Sequence, residues 1–259
     1  MKIFILCGGF GSRLDYEGKL KAKPMVKIGN KPILMHLIET FVRQGFNDFI
    51  FCLGHKSETI TNYFISQSKK IKIISKNKKN LKILFNSKGI KFNGNFVYTG
   101  RHVGTGGRVA LAYKKLKIDE DFLVTYGDGL ANINIRKLIK FHYSKNSLAT
   151  ITAVRPKNRY GILKFDAKSF KVSSFDDRKR KSDVYINGGY CIFSKKIINK
   201  IKDNNIYFEE GPLRSIIKKK KLYAFKHNGF WKSLDTLKDK NDFNKIIKNG
   251  KKPWFNSIN

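Results

Sequence analysis

The stretch KIFILCGGFGSRL, residues 2–14, decides the fold: a β-branched and aromatic run, Lys2 to Leu6, gives way to Gly8, Gly9 and Gly11 and then to Arg13. A short apolar run ended by glycine reads as a buried strand feeding a loop. Downstream, Lys31 to Gly45 opens with Pro32 at a first-turn position, keeps apolar residues at helical spacing and stops at glycine, which predicts a helix. Asn47 to Gly54 reads as a second buried strand and Lys56 to Ser66 as a second helix. Strand-like stretches follow at Ile71–Ile74, Leu81–Phe85 and Asn95–Thr99, a helix at Arg108–Leu116, and a further strand at Asp121–Tyr126 that runs into Gly127-Asp128-Gly129. Strands alternating with helices predict an α/β fold built on an open, mostly parallel sheet covered on both faces. Ligands bind beyond the carboxyl ends of such strands, which selects the loops after Leu6 and after Tyr126.

From about Leu148 the pattern turns to hairpin-like alternation (ATITAV, YGILKF, SFKVSSF), returns to a strand at Tyr190–Phe193 and ends in a lysine-rich helical tail. We therefore expect one domain over residues 1–259, with a nucleotide-side half to about 147 and a smaller, β-rich substrate-side half from about 148.

The 259 residues carry 54 Lys+Arg against 19 Asp+Glu, a formal charge of +35, with 41% hydrophobic residues. That hydrophobic share is enough for a buried core. A positive field of this size attracts polyanions, so a non-catalytic polyanion-binding module is one functional class to weigh. The lysines are spread through every segment, however, and solvated faces account for most such runs. No stripe of exposed aromatics interleaved with basic residues is evident, so nucleic acid is not the expected partner. The first apolar run is too short for a secretory segment and no later one approaches a membrane span, which leads us to expect a complete cytoplasmic chain without membrane insertion. Cys7, Cys52 and Cys191 are widely spaced in apolar runs and read as buried thiols; the five histidines show no ligand spacing.

Glycines after a first strand let the backbone approach a phosphate, and Gly8, Gly9 and Gly11 suit that task, although a plain tight turn is equally open. The stretch lacks both the Lys-Ser/Thr ending of a P-loop and the spacing of a dinucleotide fingerprint. Its company is informative: Arg13 offers a forked phosphate donor, and Lys23, set before Pro24, a second positive charge.

GGFGSRL followed by KAKPMVKIGNKPIL resembles the N-terminal signature of the sugar-phosphate nucleotidyltransferases, and within them the glucose-1-phosphate cytidylyltransferases. FLVTYGDGLANINI, YINGGYCIF, HNGFWKSLDTLKDK and KKPW continue the likeness along nearly the whole chain. The resemblance implies a Rossmann-like core that moves a nucleoside monophosphate from CTP onto a sugar 1-phosphate, releasing pyrophosphate, in surface-polysaccharide precursor synthesis. It implies that Leu6, Gly8, Gly9, Gly11, Ser12 and Arg13 line the nucleotide, that Arg13 and Lys23 are catalytic, and that Thr105, Gly106, Gly107 and Arg108 pack on the base. It further implies that Asp128 and Asp235 hold Mg2+, and that Tyr126, Tyr160, Gly161, Asp177, Arg178, Asn187 and Gly188 contact the sugar phosphate. Relatives of this kind usually self-associate, so a homo-oligomer is expected.

Read from the residues alone, Asp128 equally suits the bend of a Gly-Asp-Gly turn, Asp235 the region of a helix N-cap, and Thr105-Gly106-Gly107 a cap for the helix that follows. The chain also departs from the family pattern. Asp177-Arg178-Lys179 stands where Glu-Lys-Pro is usual, Arg101 and His102 stand in the base loop, and Gly211 replaces an acidic residue. Those departures leave open a second reading, the same chemistry with another sugar phosphate or another nucleotide.

Overall fold

The computed structural model describes residues 1–9, 20–77, 79–156, 162–166, 169, 171–176 and 184–256. Its strands are β1 (Lys2–Cys7), β2 (Lys27–Ile28), β3 (Lys31–Pro32), β4 (Asp48–Leu53), β5 (Ile71–Lys76), β6 (Asn80–Ser87), β7 (Ile90–Tyr98), β8 (Phe122–Tyr126), β9 (Gly129–Ala131), β10 (Ala149–Val154), β11 (Ile162–Phe165), β12 (Val172–Asp176), β13 (Ile186–Phe193), β14 (Leu222–His227) and β15 (Trp231–Ser233). The α-helices are α1 (Ile33–Val42), α2 (Ser57–Ile65), α3 (Thr105–Lys115), α4 (Ile135–Ser144), α5 (Pro212–Lys218) and α6 (Leu237–Lys248).

One nine-stranded sheet carries the order β14-β10-β13-β8-β1-β4-β7-β6-β5. β1 pairs in parallel with β4 and β8, and β4 with β7, so that Cys7 lies beside Leu53, Leu53 beside Tyr98 and Leu6 beside Tyr126. β13 and β6 run against the rest, which makes the sheet mixed but mostly parallel, as the alternation predicts. Strands from both sides of residue 147 enter it.

Side chains alternate across a strand. Ile3, Ile5 and Cys7 of β1 join a core that includes α1, α2, α4, Phe243 and Trp254. Phe4 and Leu6 join a second core on the opposite face, with α3, Ile197, Ile198 and Ile216. The sheet is covered on both faces, and β1, buried on both, is hydrophobic without interruption for that reason.

Three expectations change. ATITAV is β10 of the main sheet, between β13 and β14, whereas YGILKF and SFKVSSF contribute β11 and β12, a separate antiparallel pair. The tail is not simply helical, since β14 extends the sheet and β15 pairs with β9. A helix, α4, fills the stretch between Tyr126 and Leu148, its N-cap Asn134 accepting from the Lys137 N–H.

Candidate active site

The parallel strands β8, β1, β4 and β7 end side by side, and the loops leaving them enclose a cleft of about 290 Å³. Its lining includes Leu6, Gly8, Gly9, Lys23, Thr105, Arg108, Tyr126 and Asp128, all of them expected site residues. The cleft opens where the switch rule for open α/β sheets places a ligand.

At one end, three charges from three distant segments converge. Lys23 sits in the short 3₁₀ turn Lys23–Met25, made stiff by Pro24. Asp128 lies in the turn between β8 and β9, and Asp235 follows β15. The antiparallel pairing of Gly129 with Ser233, together with the Leu234 N–H bonded to the Asp128 carbonyl at 2.9 Å, holds the two aspartates together. The Lys23 ammonium then stands between them, 2.6 Å from Asp128 Oδ2 and 2.7 Å from Asp235 Oδ1. All three side chains are mostly covered, at 16%, 24% and 25% exposed. Burial works against the Lys23 charge, but the Asp128 and Asp235 carboxylates outweigh it and hold the ammonium above the ordinary lysine value.

Asp235 is oriented further by the Ser233 hydroxyl, which donates to Oδ2 at 2.6 Å. Its own N–H donates to Asp239 Oδ2, part of the capping box with Thr236 that starts α6. Asp235 therefore adjoins a helix N-terminus, as its sequence context allows, yet its carboxylate is turned to Lys23.

Two carboxylates converging on one cation form a hard-oxygen donor pair. Mg2+ takes one or two protein carboxylates and completes its shell with water and phosphate oxygens, so Asp128 and Asp235 fit that ion. Among the described residues no group of three or more His, Cys, Asp or Glu is placed to hold a metal ion.

Arg108, only 5% exposed, serves as a hub. Its guanidinium donates to the carbonyls of Gly8 (3.0 Å), Leu53 (3.2 Å), Gly100 (2.6 Å) and Arg101 (3.1 Å) and to Thr99 Oγ1 (3.0 Å). One side chain thus ties together the ends of β1, β4 and β7. A Cβ on Gly8 would overlap that guanidinium, which explains this glycine independently of any phosphate. At Gly9 a Cβ would meet nothing within 4 Å, so its backbone is open to the cleft.

Thr105, Gly106 and Gly107 begin α3. The N–H groups of Gly104 (3.1 Å), Gly106 (3.1 Å) and Gly107 (3.2 Å) donate to the carbonyls of Asn204 and Ile206, and Thr105 Oγ1 accepts from the Phe208 N–H at 3.2 Å. The Gly-Gly step gives this crossing segment its room, because a Cβ on Gly107 would overlap the Asn204 carbonyl. At Gly211 a Cβ would meet only the tip of the Ile206 side chain.

Tyr126 lines the cleft and its hydroxyl donates to Glu209 Oε1 at 3.3 Å; burial, with Glu209 nearby, pushes the phenol well above its usual value. Gly189 packs on the Tyr126 ring, which sets Asn187 and Gly188 beside the cleft rather than in its lining. Asn187 Oδ1 accepts from the Gly189 N–H, and Gly188 offers its carbonyl to Trp231 Nε1 at 2.7 Å. Gly11, Ser12, Arg13, Tyr160, Gly161, Asp177 and Arg178 lie outside the described residues.

Sequence reasoning missed Val103, Tyr207 and Pro24 in the lining and Ser233 behind Asp235. Tyr207 lies in no regular element and carries no periodic signal; Ser233 is the first residue of SLDT, two before Asp235, and was legible only from that motif.

A family model described as Nucleotidyl transferase matches residues 2–249. The glucose-1-phosphate cytidylyltransferases of Salmonella typhimurium and Salmonella typhi are each 36% identical over 98% of this chain and 98% of theirs. A crystal structure of HddC from Yersinia pseudotuberculosis complexed with GMP-PN superposes with a TM-score of 0.67 at 26% identity, covering 95% of this chain and 99% of that one. Fold, cleft and full-length similarity agree, and the chain belongs to the nucleotidyl transferase family.

Proposed function

We propose that the protein transfers CMP from CTP to α-D-glucose 1-phosphate, giving CDP-glucose and pyrophosphate, with Mg2+ as the bound ion. The observation that carries the chemistry is the convergence of Lys23, Asp128 and Asp235 at one end of the strand-end cleft. The choice of CTP and glucose 1-phosphate is supported by the likeness to the Salmonella enzymes along both chains.

A non-bridging oxygen of the sugar phosphate forms a bond to the α-phosphorus of CTP, the α–β P–O bond breaks, and pyrophosphate leaves with the electron pair. The attacking oxygen is already anionic, so no side chain needs to act as general base; the protein's task is to bring two anions together and neutralise them. Lys23 places a positive charge at the reacting centre, and its contacts with Asp128 and Asp235 hold the ammonium in place. Asp128 and Asp235 would hold the Mg2+, which supplies Lewis-acid charge to the phosphates when bound. Gly8 and Gly9 line the nucleotide with backbone, Arg13 takes the outer phosphates, and Arg108 fixes the frame from beneath. Tyr126, Tyr160, Gly161, Asp177, Arg178, Asn187 and Gly188 serve the acceptor side. The product would feed surface-polysaccharide synthesis, with the enzyme cytoplasmic and self-associated.

The test is substrate-dependent pyrophosphate release in the wild type and in Asp128→Asn. The reading expects the variant to lose nearly all turnover; wild-type rates in Asp128→Asn would remove the metal role. A second reading, the same transfer from another nucleotide, is favoured by Arg101 and His102 in the cleft lining, and a nucleoside triphosphate panel separates the two.

A further inference from the structure

The sheet order fixes which end of the cleft meets the base. Asp128 leaves β8 and the loop Gly100–Val103 leaves β7, with β1 and β4 between them. Three strand spacings amount to about 14 Å, roughly the reach from the phosphates of a nucleoside triphosphate to its base. With the charged cluster at Lys23 and Asp128, the opposite end is the one reached from β7, lined by Arg101, His102, Val103 and Thr105, with Tyr207 beside Thr105.

Tyr207 is the contribution of the second half of the chain to that end. Its neighbours on both sides are bonded to the start of α3: the Ile206 carbonyl accepts from Gly106 and Gly107, and the Phe208 N–H donates to Thr105. The Tyr207 backbone is therefore clamped from before and after, and its ring lines the cleft. The side chain is 48% exposed and has no ring partner among the described residues, which leaves a large apolar face on a fixed backbone at the mouth of a binding cleft. Tyrosine gives such contact area with little conformational freedom to lose, and aromatic faces stack on nucleobases.

We infer that Tyr207 is a specificity-determining residue of this enzyme, its ring covering the base of the nucleotide and limiting the size of base the cleft accepts. The inference rests on the proposed nucleotide-binding role of the cleft.

The experiment is two-substrate kinetics on the wild type, Tyr207→Phe and Tyr207→Ala with CTP, UTP, GTP and ATP, alongside calorimetric titration of each protein with CTP and a thermal melt. Tyr207→Ala is expected to raise KM and Kd for CTP about tenfold, to leave the KM for glucose 1-phosphate and kcat within about twofold, and to narrow the preference for CTP over GTP and ATP. Tyr207→Phe, which keeps the ring, is expected to restore CTP affinity. Unchanged CTP affinity in a folded Tyr207→Ala protein overturns the inference, as does a loss that falls on the sugar phosphate instead. If the wild type binds CTP but releases no pyrophosphate with glucose 1-phosphate, the proposed acceptor is wrong while the calorimetric comparison still decides Tyr207; if the wild type does not bind CTP at all, both readings fall.

Discussion

At the scale of the residue, Lys23 combines burial, two carboxylate partners and a fixed turn. Its neutral truncation, Lys23→Ala, removes the positive charge from the proposed reacting centre and leaves Asp128 and Asp235 facing each other. By analogy with the removal of a preorganised transition-state charge, kcat should fall by about 10²–10³, with the folded state retained; a kcat within threefold of wild type would take Lys23 out of the chemistry. A different prediction concerns His36, which is 2% exposed and donates through Nε2 to the Ile28 carbonyl. Burial, reinforced by Lys31, pulls it down to about 4 from 6.5. The unfolded chain therefore takes up a proton near pH 6.5 that the folded chain accepts only near 4. Stability is full above that window and falls as pH drops through it, by on the order of 3 kcal/mol at most. His142, also buried and lowered, acts in the same direction. Urea midpoints between pH 7 and 4.5 should decline less steeply in His36→Gln than in wild type; equal slopes would contradict this.

At the scale of the element, the crossing of segment 204–208 over the start of α3 couples the two halves of the chain. Gly107→Ala puts a Cβ into the Asn204 carbonyl, with a backbone that has little room to yield. The overpacking should cost about 1–3 kcal/mol and raise the KM for CTP by displacing Tyr207, whereas an alanine variant with wild-type melting temperature and KM would show the crossing to be loose. The same scale shows what the sequence made legible. β1, β4 and β8 are short runs rich in apolar residues, α1 stops at Gly45, and α2 and α3 keep apolar residues at helical spacing, so period and punctuation sufficed. α4 was equally legible, in the Asn134 cap and in Ile135, Leu138 and Ile139 recurring at helical spacing, with His142 continuing the buried face. β14 escaped because it is an edge strand, alternately half-buried and exposed and flanked by lysines. Asp128 and Asp235 could be named from motif likeness, but their convergence depends on the β9–β15 pairing, which no local pattern announces. Tyr207 owes its place to hydrogen bonds between an irregular segment and the first turn of α3, and such bonds leave no trace in side-chain periodicity.

At the scale of the whole molecule, a 3₁₀ turn, the end of β8 and the separate β9–β15 pair bring charges from residues 23, 128 and 235 together beside one strand-end cleft, and the +35 formal charge surrounds a site for polyanionic substrates. A field of that sign should speed nucleotide capture at low ionic strength. We expect kcat/KM for CTP to fall several-fold between about 0.02 and 0.3 M salt while kcat changes little; a flat profile would mean that the lysines are too dispersed to steer. Among the described residues no helix is long and apolar enough to cross a membrane. The most direct measurement is pyrophosphate release with CTP, glucose 1-phosphate and Mg2+, each omitted in turn. The account predicts release only when all three are present, and abolition in Asp128→Asn. Release that persists without glucose 1-phosphate or without Mg2+, or silence with the complete mixture, would contradict it.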